Sequence, residues 1–205
     1  MSTHAAHRRR AVPRRRPRRL RPLALVGLLA MVGIAVASLL PMLKDAAQEI
    51  ALPLRHEDII RQQAADKGLD AALIAGVIYA ESRFVDQTSH AGARGLMQVT
   101  PETARGIAER TGGVSFREED LATPQVNVAY GSWYLGHLLE RYGGNEIVAL
   151  AAYNAGQGNV DRWIGEGREV TAVEGIPFPE TRAYVAKVLD AREDYRETYP
   201  RELGL

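Results

Sequence analysis

With 205 residues, 46% of them hydrophobic, the chain has room for one ordinary domain with a buried core and a short targeting segment. It has no cysteine, which excludes disulfides and thiolate metal sites, and its histidines (His4, His7, His56, His90 and His137) show no metal-ligand spacing. The net charge of +1 hides an asymmetry: nine arginines fall in the first 21 positions, leaving a body with 17 basic against 25 acidic residues, which argues against a nucleic-acid partner.

Residues 1–21 read as an Arg-rich cytoplasmic tail. The run from Pro22 to Leu43 carries no charge and, as a helix, is long enough to cross ~30 Å of hydrocarbon. Arginines on its N-terminal side predict that this end stays in the cytoplasm and that the body lies outside. The rival reading is a cleaved signal peptide, with an apolar region over Leu23–Ile34 and Ala35-Val36-Ala37 as its cleavage signal. On that reading the body is secreted. Residues 44–54 read as a linker.

The body reads as short helices separated by Gly, Pro and Asn. His56–Lys67 is helical in pattern and stops at Gly68. Asp70 caps a helix over Ala71–Arg83. Residues 85–95 form a loop. Thr100-Pro101 opens a helix to about Arg110, closed by Gly112-Gly113, and Thr123-Pro124 opens a longer one to Tyr142. Asn145 caps Glu146–Ala155. A short helix surrounds Val160–Ile164, Glu166–Phe178 is irregular, and a last helix runs over Glu180–Arg196, leaving 198–205 as a tail. The fold class is therefore all-α: one small helical domain behind a transmembrane helix.

Four segments carry candidate chemistry. In the helix after Asp70, the stripe Ile74, Val77, Ile78 leads to Glu81, so this carboxyl follows an apolar face. Burial raises a carboxyl pKa, as a general acid near neutral pH requires, although a capped or ion-paired glutamate has the same pattern. The loop Gly92-Ala93-Arg94-Gly95-Leu96-Met97-Gln98 has glycines that let backbone approach a ligand, an adaptable thioether and an amide with donor and acceptor. A plain turn before Pro101 reads the same way. Ala152-Tyr153-Asn154-Ala155-Gly156 ends a helix with a ring suited to sugar, or with a simple C-cap. Pro179-Glu180-Thr181-Arg182-Ala183-Tyr184 starts the last helix, where Glu180 suits the dipole.

Taken together and in this order, Glu81-Ser82-Arg83-Phe84 and the three segments after it resemble the catalytic domain of the soluble lytic transglycosylases. The resemblance extends over roughly residues 55–197. It implies a lysozyme-like, mostly helical fold with a sugar cleft, and peptidoglycan glycan strands as substrate. It implies that Glu81 is the single catalytic carboxylate. It further implies that Ser89, Met97, Gln98, Tyr153 and Asn154 line the cleft, and that Glu180 supports it. Val85-Asp86-Gln87 stands where the family usually has a proline.

The implied reaction cuts the β-1,4 bond between N-acetylmuramic acid and N-acetylglucosamine and forms a 1,6-anhydromuramoyl end, without metal or cofactor. Glu81 would act as acid and then base, and the substrate N-acetyl group would stabilise the developing positive charge. Asp86 is the one nearby acidic residue that would permit a hydrolytic, lysozyme-like outcome instead. A third reading is a wall-binding scaffold without turnover.

Overall fold

The computed structural model describes residues 21–113 and 116–205, and the Arg-rich tail up to residue 20 lies outside them. The chain divides into two units, Met1–Ala47 and Gln48–Leu205.

In the first unit the helix α1 begins, and it spans Arg21–Ala51. Val26, Leu28, Leu29, Met31, Ile34 and Leu40 are all exposed, so its apolar surface is not turned to one face. Its stretch Val26–Ala51 is long and apolar enough to cross a membrane, and a signal sequence near an N-terminus has the same character. Ala35-Val36-Ala37 lies within the continuous helix.

The second unit is helical: α2 (Glu57–Lys67), α3 (Ala71–Ser82), α4 (Pro101–Thr111), α5 (Pro124–Arg141), α6 (Glu146–Ala155), α7 (Gln157–Gly165), α8 (Pro179–Thr198) and α9 (Pro200–Leu203). Short 3₁₀ turns lie at Glu118–Ala122 and Val173–Gly175. Among the described residues there are isolated bridges, Thr88 with Arg94 and Arg94 with Val99, but no strand. Of the expected caps, Asp70, Thr100 and Asn145 bond through their side chains, whereas Thr123 opens α5 before Pro124 without a side-chain cap bond. The Asp70 carboxylate accepts from Ala72 N–H (2.9 Å), Thr100 Oγ1 from Thr103 N–H (3.1 Å) and Asn145 Oδ1 from Val148 N–H (3.1 Å).

α3 is the central helix. Every residue from Ala71 to Ile78 is buried, so the apolar stripe in the sequence is part of a helix covered all round. α8 crosses it closely. A Cβ on Gly76 would sit 2.8 Å from the Val188 carbonyl oxygen, so only glycine permits this approach. Buried Ala149, Ala151 and Ala152 thin α6 in the same way.

Within the segment that the sequence marks as a linker, α1 continues to Ala51, Leu52 and Leu54 pack on the core, and the Leu52 carbonyl accepts from Tyr199 O–H (2.9 Å). Within the C-terminal tail, Pro200–Leu203 form α9, whose Leu203 is buried, and the Glu202 carbonyl accepts from Arg61. A four-residue helix has too little length to announce itself by periodicity.

Candidate active site

Glu81 is the penultimate residue of α3, where the buried helix emerges. The chain then reverses abruptly, with Arg83 and Phe84 both left-handed (φ 53° and 62°). Such backbone is uncommon outside glycine and gathers at functional sites. Phe84 is buried against the Tyr195 ring, which holds the reversal in place.

The Glu81 carboxyl is held at a pKa of about 7, far above its ordinary 4.5. Burial is the main cause, and Tyr184 and the Lys187 charge oppose it. Both opposing residues come from α8, brought in by the crossing at Gly76. Lys187 donates to the Ala80 carbonyl (3.0 Å), which fixes its ammonium near the carboxyl. The Tyr184 hydroxyl is buried, close enough to favour the ionised carboxyl, yet in no full hydrogen bond. Burial first and then the Glu81 charge hold the Tyr153 and Tyr184 hydroxyls protonated well above their ordinary range. Among the described residues, no second carboxylate acts on Glu81.

The Gly92–Gln98 segment brings Gln98 to a cavity beside Tyr153, and one buried side chain holds the segment. Asn127 on α5 accepts from Met97 N–H (2.7 Å) and donates to the Arg94 (2.8 Å) and Leu121 (3.0 Å) carbonyls. Gly95 has φ 74°, and a Cβ there would meet Asn127 at 2.2 Å, so the glycine is required on both counts. Ser82 Oγ donates to the Leu96 carbonyl (2.7 Å) and ties this segment to the residue after Glu81.

Of the residues taken from the sequence, Tyr153 stands beside Glu81 and donates to the Met97 carbonyl (2.9 Å). Met97 itself is fully buried, with its thioether against Gly131 and Ser132. Its carbonyl therefore anchors Tyr153, and its side chain does not line the cleft as the resemblance implied. Gln98, at φ 47°, is locked by donation to the Gln87 (3.0 Å) and Gly95 (2.8 Å) carbonyls. Asn154 is exposed and its Oδ1 accepts from buried Thr181 Oγ1 (2.8 Å). Gln98, Tyr134, Tyr153, Asn154 and Gly156 line a cavity of about 250 Å³.

Ser89 makes no link to these groups. Its hydroxyl accepts from Ala93 N–H (3.0 Å) and closes the loop on itself. Glu180 is exposed in the first turn of α8, one turn before Tyr184. Asp86 is exposed as well. Sequence reasoning assigned no role to Tyr184, Lys187 and Asn127. Tyr184 and Lys187 are three apart and share a helix face. Glycine inside an apolar helix, as at Gly76, was the available signal for a close crossing that delivers them.

The transglycosylase SLT domain family matches residues 58–173, more than half of the chain. The chain belongs to the SLT transglycosylase domain family. The soluble lytic murein transglycosylase of Salmonella typhimurium is 36% identical over 154 residues, 72% of this chain and 24% of that protein. The membrane-bound lytic murein transglycosylase C of Glaesserella parasuis is 31% identical, over 69% of this chain and 46% of its own length. An inactive Glu-to-Gln mutant of the lytic transglycosylase Slt from Pseudomonas aeruginosa has a similar structure. It shows a TM-score of 0.68 and 34% identity, covering 73% of this chain and 25% of that one. The chain thus spans about a quarter of the length of the soluble relatives. The SLT fold is all-α and lysozyme-like, as the sequence implied.

Proposed function

We propose that this SLT-domain protein is a peptidoglycan lytic transglycosylase that works outside the cytoplasm, held at the membrane by α1. The observation that carries the reading is the Glu81 carboxyl, with a pKa of about 7 and, among the described residues, no second carboxylate acting on it. A hydrolytic glycosidase uses two carboxyl groups about 5–9 Å apart. A lone carboxyl poised near neutral pH suits one group that gives a proton and takes another back.

Protonated Glu81 gives its proton to the glycosidic oxygen between N-acetylmuramic acid and N-acetylglucosamine, and that C–O bond breaks. The substrate's N-acetyl oxygen stabilises the anomeric carbon. Glu81, now a carboxylate, takes the proton of the muramoyl 6-hydroxyl, whose oxygen closes onto the anomeric carbon as a 1,6-anhydro ring. Tyr184 and Lys187 stabilise the carboxylate that exists between the two transfers. Tyr153, Gln98 and Asn154 bound the cavity that receives sugar, the Met97 carbonyl anchors Tyr153 there, and Glu180 steadies the α8 N-terminus that presents Tyr184. The relatives' names, and a relative made inactive by a Glu-to-Gln change, support this assignment.

The test is digestion of purified peptidoglycan by the detergent-solubilised full chain and its Glu81→Gln variant, with mass analysis of the muropeptides. Anhydro ends, about 18 Da lighter than hydrolysed ends because no water is added, and their loss in the variant are expected. Hydrated reducing ends would overturn the reading in favour of a hydrolase and direct attention to Asp86.

A further inference from the structure

The cavity beside Tyr153 is the first of three in a row. Its wall residues Thr103 and Tyr134 also line a second cavity of about 200 Å³, bordered by Glu102, Arg110, Trp133 and Gln157. Trp133 in turn borders a third, of about 340 Å³, with Lys67, His137 and Glu140. Shared wall residues make the three neighbours along α5, the first of them bounded by Tyr153, whose hydroxyl stands beside Glu81.

Trp133 is not a core residue. Its neighbours Leu135 and Leu138 on α5 are fully buried, whereas its ring is only part-buried and borders two cavities. Trp163 shows the contrast: it is buried, with Phe178 edge-on against it. The Trp133 ring is also held in orientation. It stacks on His137, one turn further along, with centroids 5.3 Å apart and planes 14° from parallel. His137 Nε2 lies 3.1 Å from Arg110 Nη1. Burial first, and then the Arg110 charge, lower the His137 pKa, and beside a guanidinium, which can only donate, the imidazole nitrogen is the acceptor.

A fixed indole face with charged and amide groups around it suits a pyranose ring, which has an apolar C–H face and a rim of hydroxyls. Glu102, Arg110 and Gln157 supply that polar rim on the second cavity. We infer that Trp133 is the platform of a distal saccharide subsite, occupied by the same glycan strand that reaches Glu81, so that the protein favours long strands over short ones. The inference rests on the proposed function for its ligand, and the occupant follows from the row of neighbouring cavities that begins at Tyr153, beside Glu81.

The test is calorimetric titration of the full-length Glu81→Gln variant with peptide-free peptidoglycan tetrasaccharide and octasaccharide. The octasaccharide should bind about tenfold more tightly. Adding Trp133→Ala should weaken octasaccharide binding about tenfold, equivalent to about 1.4 kcal/mol, and tetrasaccharide binding less than about twofold. Trp133→Tyr should restore most of the difference, which separates loss of the platform from loss of the fold. Equal weakening at both lengths, or none at either, would overturn the distal subsite while leaving the proposed function intact. Binding of neither saccharide before Trp133 is changed would bring down the functional reading itself.

Discussion

The two ends of α3 each carry one carboxylate, and they are held in opposite ways. Asp70 at the N-terminus accepts from Ala72 N–H and pairs with Arg196 at 2.5 Å, on a surface that water still reaches. The helix dipole favours its charge there. Glu81, at the other end, has no ion pair within bonding distance and lies where the dipole opposes a negative charge. Both side chains are acids on one helix. What separates the structural one from the chemical one is the set of partners supplied by α8: a guanidinium for Asp70, and a protonated phenol with a more distant ammonium for Glu81.

The largest expected difference is in turnover. Glu81→Gln keeps the shape of the side chain and removes its proton transfer, so release of anhydro-muropeptides should fall by about 10²- to 10⁴-fold. Asp70→Asn, at the same helix, should stay within about twofold of the parent at a temperature well below unfolding. Equal losses in the two variants would break the comparison.

The next effect is on stability. Glu81 ionises near pH 7 in the fold against 4.5 ordinarily, so between these values the folded chain holds the proton that the unfolded chain has lost. Stability therefore falls as pH rises through this window, by about 3 kcal/mol in full, and the cost remains above pH 7. Glu81→Gln cannot ionise. Urea unfolding should find it about 3 kcal/mol more stable relative to the parent at pH 8 than at pH 4. A gain of the same size at both pH values would mean that packing, not charge, is responsible.

How much of this could be read in the sequence follows from the range of each cause. Caps at Asp70, Thr100 and Asn145 act within three residues, and each appears where the sequence placed it. Glu81 was legible because its burial continues a local apolar stripe. Tyr184 and Lys187 were not, because they reach Glu81 only after α8 crosses at Gly76, about a hundred residues away along the chain. Asn127 is likewise a single polar residue in a helix, and its partners at Arg94, Met97 and Leu121 belong to other segments. Met97 shows a subtler limit. Its place beside the site was readable, but whether its side chain or its carbonyl meets Tyr153 depends on the local turn. The left-handed Gln98 and the Gly95 turn put the thioether inside.

At the structural end, Asp70→Ala removes both the cap and the ion pair with Arg196. Unfolding at pH 7 should show a loss of about 1–2 kcal/mol, chiefly from the cap. The Arg196 contribution is the smaller share, since its side chain is 47% exposed, and should vanish in about 1 M salt. A loss that salt erases entirely would reverse that ranking.

The finest test is of how α8 tunes Glu81. Tyr184 and Lys187 both lower the carboxyl pKa from where burial alone would set it. Removing either the phenol or the ammonium should therefore raise it. The reaction needs Glu81 protonated, so kcat/KM should be highest below about pH 7 and fall tenfold per unit above it. In Tyr184→Phe and in Lys187→Met this alkaline limb should move to higher pH, while the plateau at low pH changes less. Tyr184→Phe removes a buried hydroxyl without a full hydrogen bond, so at pH 4, where Glu81 is protonated, its thermal midpoint should not fall. A limb that stays in place while the plateau drops would show that α8 holds Glu81 in position without tuning its proton.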